Sequence, residues 1–209
     1  MTGAEEWRRM RSFYLLEPPS APLPAGRAFL RQARFRLHDD YLVKITRAVA
    51  ELTDEQVWWR PNGASNSIGN LVLHLCGNAR QWIVSGIGGA ADTRERAREF
   101  DTQEGIDRHA LVSQLEGTIR DVDAQLSELD RQLIADASDA ALQRHCRPQG
   151  FDQTVLDAVF HVVEHFSYHT GQIVLLAKWH AGDRIRLYED GRLNTTPSTA
   201  RKSDSPPDR

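Results

Sequence analysis

The chain has 209 residues with 26 Lys and Arg against 29 Asp and Glu, a formal charge of −3, so it lacks the basic field that holds nucleic acid or an anionic membrane. The length suits one domain with loose ends, no run nears the ~20 apolar residues of a membrane span, and Met1 to Met10 hold no apolar stretch of the secretory kind. Two cysteines, Cys76 and Cys146, allow at most one bridge, which argues against a disulfide scaffold and for a reducing, cytoplasmic setting.

In chain order, Pro18, Pro19, Pro22 and Pro24 crowd the stretch from Leu16 to Gly26 and predict an extended N-terminal arm over residues 1–26. A helix is expected from about Arg27 to Leu52, where Leu30, Leu37, Tyr41, Leu42, Ile45, Val49 and Leu52 recur at helical spacing. The connection with Trp58, Trp59, Arg60 and Pro61 reads as a loop anchored by aromatics or as a pocket rim. Ser65-Asn66-Ser67 offers caps for a second helix from Ile68 to Ser85, stopped by Gly86, Gly88 and Gly89.

The run Arg94-Glu-Arg-Ala-Arg98-Glu alternates charge and reads as a solvated connection. A third helix is expected from Ile106 to Ile134 on the spacing of Leu111, Leu115, Ile119, Val122, Leu126, Leu129 and Leu133. A fourth runs from Thr154 to His180, with Asp152 or Thr154 as cap and Gly182 past its end. Residues 186–209, polar and proline-bearing, read as a disordered C-terminal extension. The fold expected is all-α, a four-helix bundle over residues 27–185.

The fourth helix carries His161-Val-Val-Glu164-His165-Phe-Ser-Tyr168-His169-Thr-Gly171-Gln172. His165 and His169 are four apart, offset by about 40° around the helix, so both rings can reach one metal ion. They lie beside Val155, Val159, Val162, Phe166 and Ile173, while Asp157, Glu164, Gly171 and Lys178 form the expected solvent stripe. Two inward imidazoles fit a metal site, or two core histidines each bonded to a carboxylate or carbonyl. On the second helix, His74 centres a row of Asn70, Gly77, Asn78, Gln81 and Ser85 that holds no charge. Such a row reads as a polar pocket wall, a partly exposed face or a face covered by a partner subunit. Cys76 points the other way, into the core.

The run from Asn66 through His74 to Asn78, with Gln81-Trp82, and the later His161-to-Ile173 run resemble the DinB-like (YfiT-like) superfamily of metal-dependent proteins across roughly residues 27–182. The resemblance implies a four-helix bundle in which His74, His165 and His169 hold a divalent metal. It also implies a homodimer and, in some branches, thiol-dependent S-transfer or isomerisation of a small molecule.

Three imidazoles without a fourth protein ligand make an open site, able to acidify water or a low-molecular-weight thiol, and Zn²⁺, Ni²⁺ and Fe²⁺ all accept such donors. His161 then reads as a partner of a ligand, a proton carrier, a fourth ligand or a core histidine. Asn78, Gln81, Tyr168 and Gln172 are the other pocket candidates.

Two further readings differ in kind. One is a non-catalytic metal-binding or dimerising stress-response module. The other is a hydrolase of HxxEH type, built on His161, Glu164 and His165. His38, His109, His145 and His180 are expected to face solvent.

Overall fold

The computed structural model describes residues 19–187, so most of the expected N-terminal arm and of the C-terminal extension lies outside the described residues. The described chain is mostly helical. The first rod begins at Ala25, directly after Pro24, which keeps non-helical torsions. It runs through α1 (Ala25–Phe35), a π-helical turn (Arg36–Tyr41) and α2 (Leu42–Ala50). Within that π turn the buried Asp40 is flanked by Arg36 at 2.8 Å and Lys44 at 2.5 Å, one turn to either side.

A short helix not foreseen from the sequence, α3 (Asp54–Trp58), follows. Thr53 and Gln56 close a reciprocal capping box at its start. The Trp58 indole donates to the Ile106 carbonyl at 2.8 Å, and its ring lies so close to Gly69 that a Cβ there would sit 2.6 Å from it. Trp58 is therefore an anchor for the connection. Helix α4 (Ile68–Ala79) starts from Ser67, whose hydroxyl accepts from the Asn70 amide, and continues into a second π turn (Arg80–Ser85).

The charged stretch forms α5 (Arg96–Asp101). Helix α6 (Arg108–Asp136) is capped by Asp107 and stops at Ala137, which adopts left-handed torsions. After α7 (Ala140–Gln143), strands β1 (His145–Cys146) and β2 (Gln153–Thr154) pair antiparallel. Thr154 and Asp157 then cap α8 (Val155–Ala181), and Gly182 follows at φ 55°.

Four long rods pack side by side among the described residues. The α1–α2 rod lies against α6 and α8, and α4 lies against the same two. Leu30, Ile45, Leu75, Ile83, Leu115, Leu126, Val162 and Phe166 are fully buried in their shared core. The leucine spacing of α6 and the valine sector of α8 thus point where their periodicity predicts. Ile185 and Leu187 are also buried, so the described chain stays packed past the expected end of the bundle at residue 185. Cys76 and Cys146 are free and buried. Among the described residues no helix is long and apolar enough to cross a membrane.

Candidate metal centre

Helices α4 and α8 lie in contact, and their histidines meet at that seam. His165 Nε2 is 3.1 Å from His74 Nε2 and 3.1 Å from His169 Nε2. The three ligand atoms all lie within 4.8 Å of one another, and they form a group able to hold a metal ion. The rings stand edge-on to each other, at interplanar angles of 69°, 84° and 88°.

The partners of two rings decide their tautomers. His74 Nδ1 is 2.7 Å from Glu99 Oε2 and 3.2 Å from Arg94 Nη2; the shorter contact is to a carboxylate oxygen that can only accept, which places a proton on Nδ1 and turns Nε2 to the other rings. His169 Nδ1 donates in the same way to Gln172 Oε1 at 2.7 Å. His165 Nδ1 is buried without a partner, and its Nε2 can donate to at most one of its two neighbours. Protonation does not relieve the crowding. Burial first, then His169, His74, His161 and Arg94, pull His165 down to about 3. Burial also lowers His169, assisted by His74 and opposed by Gln172.

A divalent cation relieves it. With metal–nitrogen distances of about 2.05 Å, the 3.1 Å separations subtend about 100°, between facial octahedral and tetrahedral angles. At those angles the outer pair, now within 4.8 Å, comes to about 3 Å, so His74 and His169 swing toward each other by up to about 1.5 Å in all as they close on the ion. Among the described residues no other His, Cys, Asp or Glu joins the group. The donor set therefore fits an open, three-nitrogen site.

The uncharged row on α4 has an explanation that its sequence did not reveal: much of it is covered by the chain's own connection. Asn70 Nδ2 donates to the carbonyls of Glu99 at 2.9 Å and Thr102 at 2.7 Å. Arg60 donates to the Phe100 carbonyl at 2.6 Å, Gln81 to Asp92 at 2.7 Å and Ser85 to the Ala91 carbonyl at 3.3 Å. The Arg94-to-Glu99 run is solvated, as its alternating charges predict, only from Glu95 to Arg98; its two ends are not. The Arg94 and Glu99 side chains are only 4% and 8% exposed. Burial by itself raises the Glu99 carboxyl, but Arg94 and His74 outweigh it and hold the group below its usual range. Phe100 packs against His74 at 4.8 Å, and the Arg96 guanidinium lies 4.9 Å above Phe100. The one sequence signal for this docking was Gly77, whose missing side chain leaves the helix surface bare where Glu99 arrives.

A family model described as "Protein of unknown function (DUF1572)" matches residues 24–188, most of the chain. The chain belongs to this family. No curated protein matches it. All three histidines of this DUF1572 protein, and the Arg94–Glu99 pair beside them, fall within the matched residues.

The remaining pocket candidates divide by position. In the DUF1572 chain His161 accepts from Asn78 Nδ2 at 3.2 Å and stacks on Trp82 at 3.8 Å. Its ring lies nearly parallel to that of His165 at 5.6 Å and stays outside the converging group. An ideal α-helical projection sends Trp82 away from the polar row, but the π turn at Arg80–Ser85 spends an extra residue and swings it toward His161. Gln81 also accepts from Arg94 Nη1 at 2.8 Å. Tyr168 is exposed and touches His169 edge-on at 5.1 Å, at the rim.

Glu164 is exposed on the outer side of α8, so the HxxEH arrangement lacks a base beside the histidines. His38, His109 and His145 are exposed as expected. His180 is not: it is half-buried, edge-on to Trp59 at 4.7 Å, with Nε2 fully covered.

Proposed function

We propose that this DUF1572 protein is a DinB-like (YfiT-like) metalloprotein of four-helix-bundle type, whose open three-histidine site activates a thiol or water in a transfer or isomerisation reaction on a small molecule. One observation carries the reading: three imidazole Nε2 atoms from two helices converge, with the proton of two rings held elsewhere by Glu99 and Gln172. A divalent ion such as Zn²⁺, Ni²⁺ or Fe²⁺ supplies, when bound, the Lewis acidity that turns water or a thiol into a nucleophile at neutral pH.

The protein's own groups do the rest. His74, His165 and His169 bind the ion, and Gln172 keeps the His169 ring turned toward it. His161, held by the Asn78 side-chain amide at 3.2 Å, is the group that exchanges a proton with a reacting group. Phe100 and Tyr168 border the site, against His74 and His169 respectively.

We take the protein to be a homodimer in the cytoplasm. Phe160, Tyr168, Leu175 and Trp179 are all more than half exposed along one side of α8, where the sequence predicts a solvent stripe, and such a face is normally covered by a partner. The two free thiols suit a reducing compartment.

The test is turnover. Metal-loaded protein is expected to consume a low-molecular-weight thiol together with an electrophile, and His165→Ala is expected not to. Absence of turnover across a broad panel, with metal bound, would reduce the protein to a non-catalytic binding module.

A further inference from the structure

We infer that Glu99, clamped by Arg94, is the positioning residue that holds His74 as a metal ligand, and that Gly77 is bare so that this pair can dock. The inference rests on the metal reading above. It starts from an asymmetry among the three rings. His165 has no partner on its second nitrogen, and His169 has a neutral amide. His74 alone has a carboxylate, at 2.7 Å.

Every contact of that carboxylate is directed. Glu99 Oε1 accepts from Arg94 Nε at 2.6 Å, and Oε2 accepts from Arg94 Nη2 at 2.9 Å as well as from His74 Nδ1. Arg94 is itself held by Gln81 through Nη1. The backbone carbonyls of Glu99, Phe100 and Thr102 are held by Asn70 and Arg60. Buried ion pairs contribute little net stability compared with apolar packing, so stability alone does not account for a fully partnered charge placed on a histidine.

A carboxylate accepting from the far nitrogen of a ligating imidazole fixes its tautomer, aims its ring and raises its basicity, and losing it typically costs 10–100-fold in metal affinity. Gly77 completes the device. A Cβ there would overlap Glu99 Oε1, and would lie 2.8 Å from Glu99 Cδ and 2.9 Å from Arg94 Nε. Gly77→Ala therefore displaces the pair without removing either charge.

The experiment titrates Zn²⁺ against a competing chelator in wild type, Glu99→Gln and Gly77→Ala, with Asp123→Asn as control. Asp123 pairs with Arg34 at 2.6 Å on other helices, so its loss perturbs an ion pair without touching the histidines. The His74 tautomer is read in the metal-free proteins from two-bond proton–nitrogen correlations. Wild type is expected to show the proton on Nδ1. Gly77→Ala is expected to lose that single tautomer, Glu99→Gln to keep it on the amide oxygen while losing the charge, and both to lose about 10–100-fold in Zn²⁺ affinity; Asp123→Asn is expected to keep both tautomer and affinity.

Equal affinity in wild type and both site variants, with the tautomer unchanged, overturns the role of Glu99 while leaving the metal reading in place. A wild type that takes up no Zn²⁺ overturns the metal reading itself. Should Glu99→Gln fail to fold, Gly77→Ala decides the matter, since it keeps Arg94 and Glu99 in the chain.

Discussion

Replacing His165 with leucine should have opposite effects on stability with and without metal. In metal-free protein the substitution removes a buried, unpartnered Nδ1, a defect of ~1–3 kcal/mol. It gives up at most one donated bond among the three rings, worth ~1 kcal/mol net. Metal-free His165→Leu is therefore expected to be no less stable than metal-free wild type. With free metal at about a hundred times its dissociation constant, wild type gains ~2.7 kcal/mol and the variant gains none. For a domain of this size that corresponds to a separation of about 5–10 °C in Tm. Denaturant and thermal unfolding, each run with chelator and with Zn²⁺, measure both signs. A loss of more than about 2 kcal/mol by the variant in chelator would show three mutually satisfied core histidines and refute the reasoning.

Other expectations follow from the same contacts. His161→Ala should retain metal at wild-type stoichiometry, because His161 lies outside the converging group, and should lose turnover; loss of metal in this variant would make His161 a ligand. Thr154→Ala removes the hydroxyl that accepts from the Asp157 amide and should cost ~1 kcal/mol in denaturant unfolding without changing metal content. Neither thiol should react with an aromatic disulfide reagent in the native protein near neutral pH. Burial pushes Cys76 up to about 12 and raises Cys146 as well, so both should titrate only on unfolding, and a rapid native reaction would contradict their placement.

Helix boundaries were legible because the local signals that set them are strong. The leucines of α6 recur on one face, and Ser67 and Thr154 each stand before an apolar-periodic run with a side chain that reaches the first turn. The convergence of His165 and His169 follows from a spacing of four on one helix, which needs no tertiary information. The meeting with His74 required a second rod and a resemblance to supply the register.

What the sequence hid is tertiary in origin. Alternating charges between Arg94 and Glu99 look like a solvated strip, and only the docking of that strip onto Asn70, Gly77 and Gln81 shows that its two ends are buried partners. A π turn has no local sequence signature, so the swing of Trp82 onto His161 could not be read from a uniform 100° projection. His180, on a charged helix end, is covered by Trp59 from a distant connection.

The most direct measurement is elemental analysis of the purified protein beside His74→Ala, His165→Ala and His169→Ala, each checked for native helix content. The account predicts about one divalent ion per chain in wild type and a large loss in each variant. Full retention in all three would contradict it.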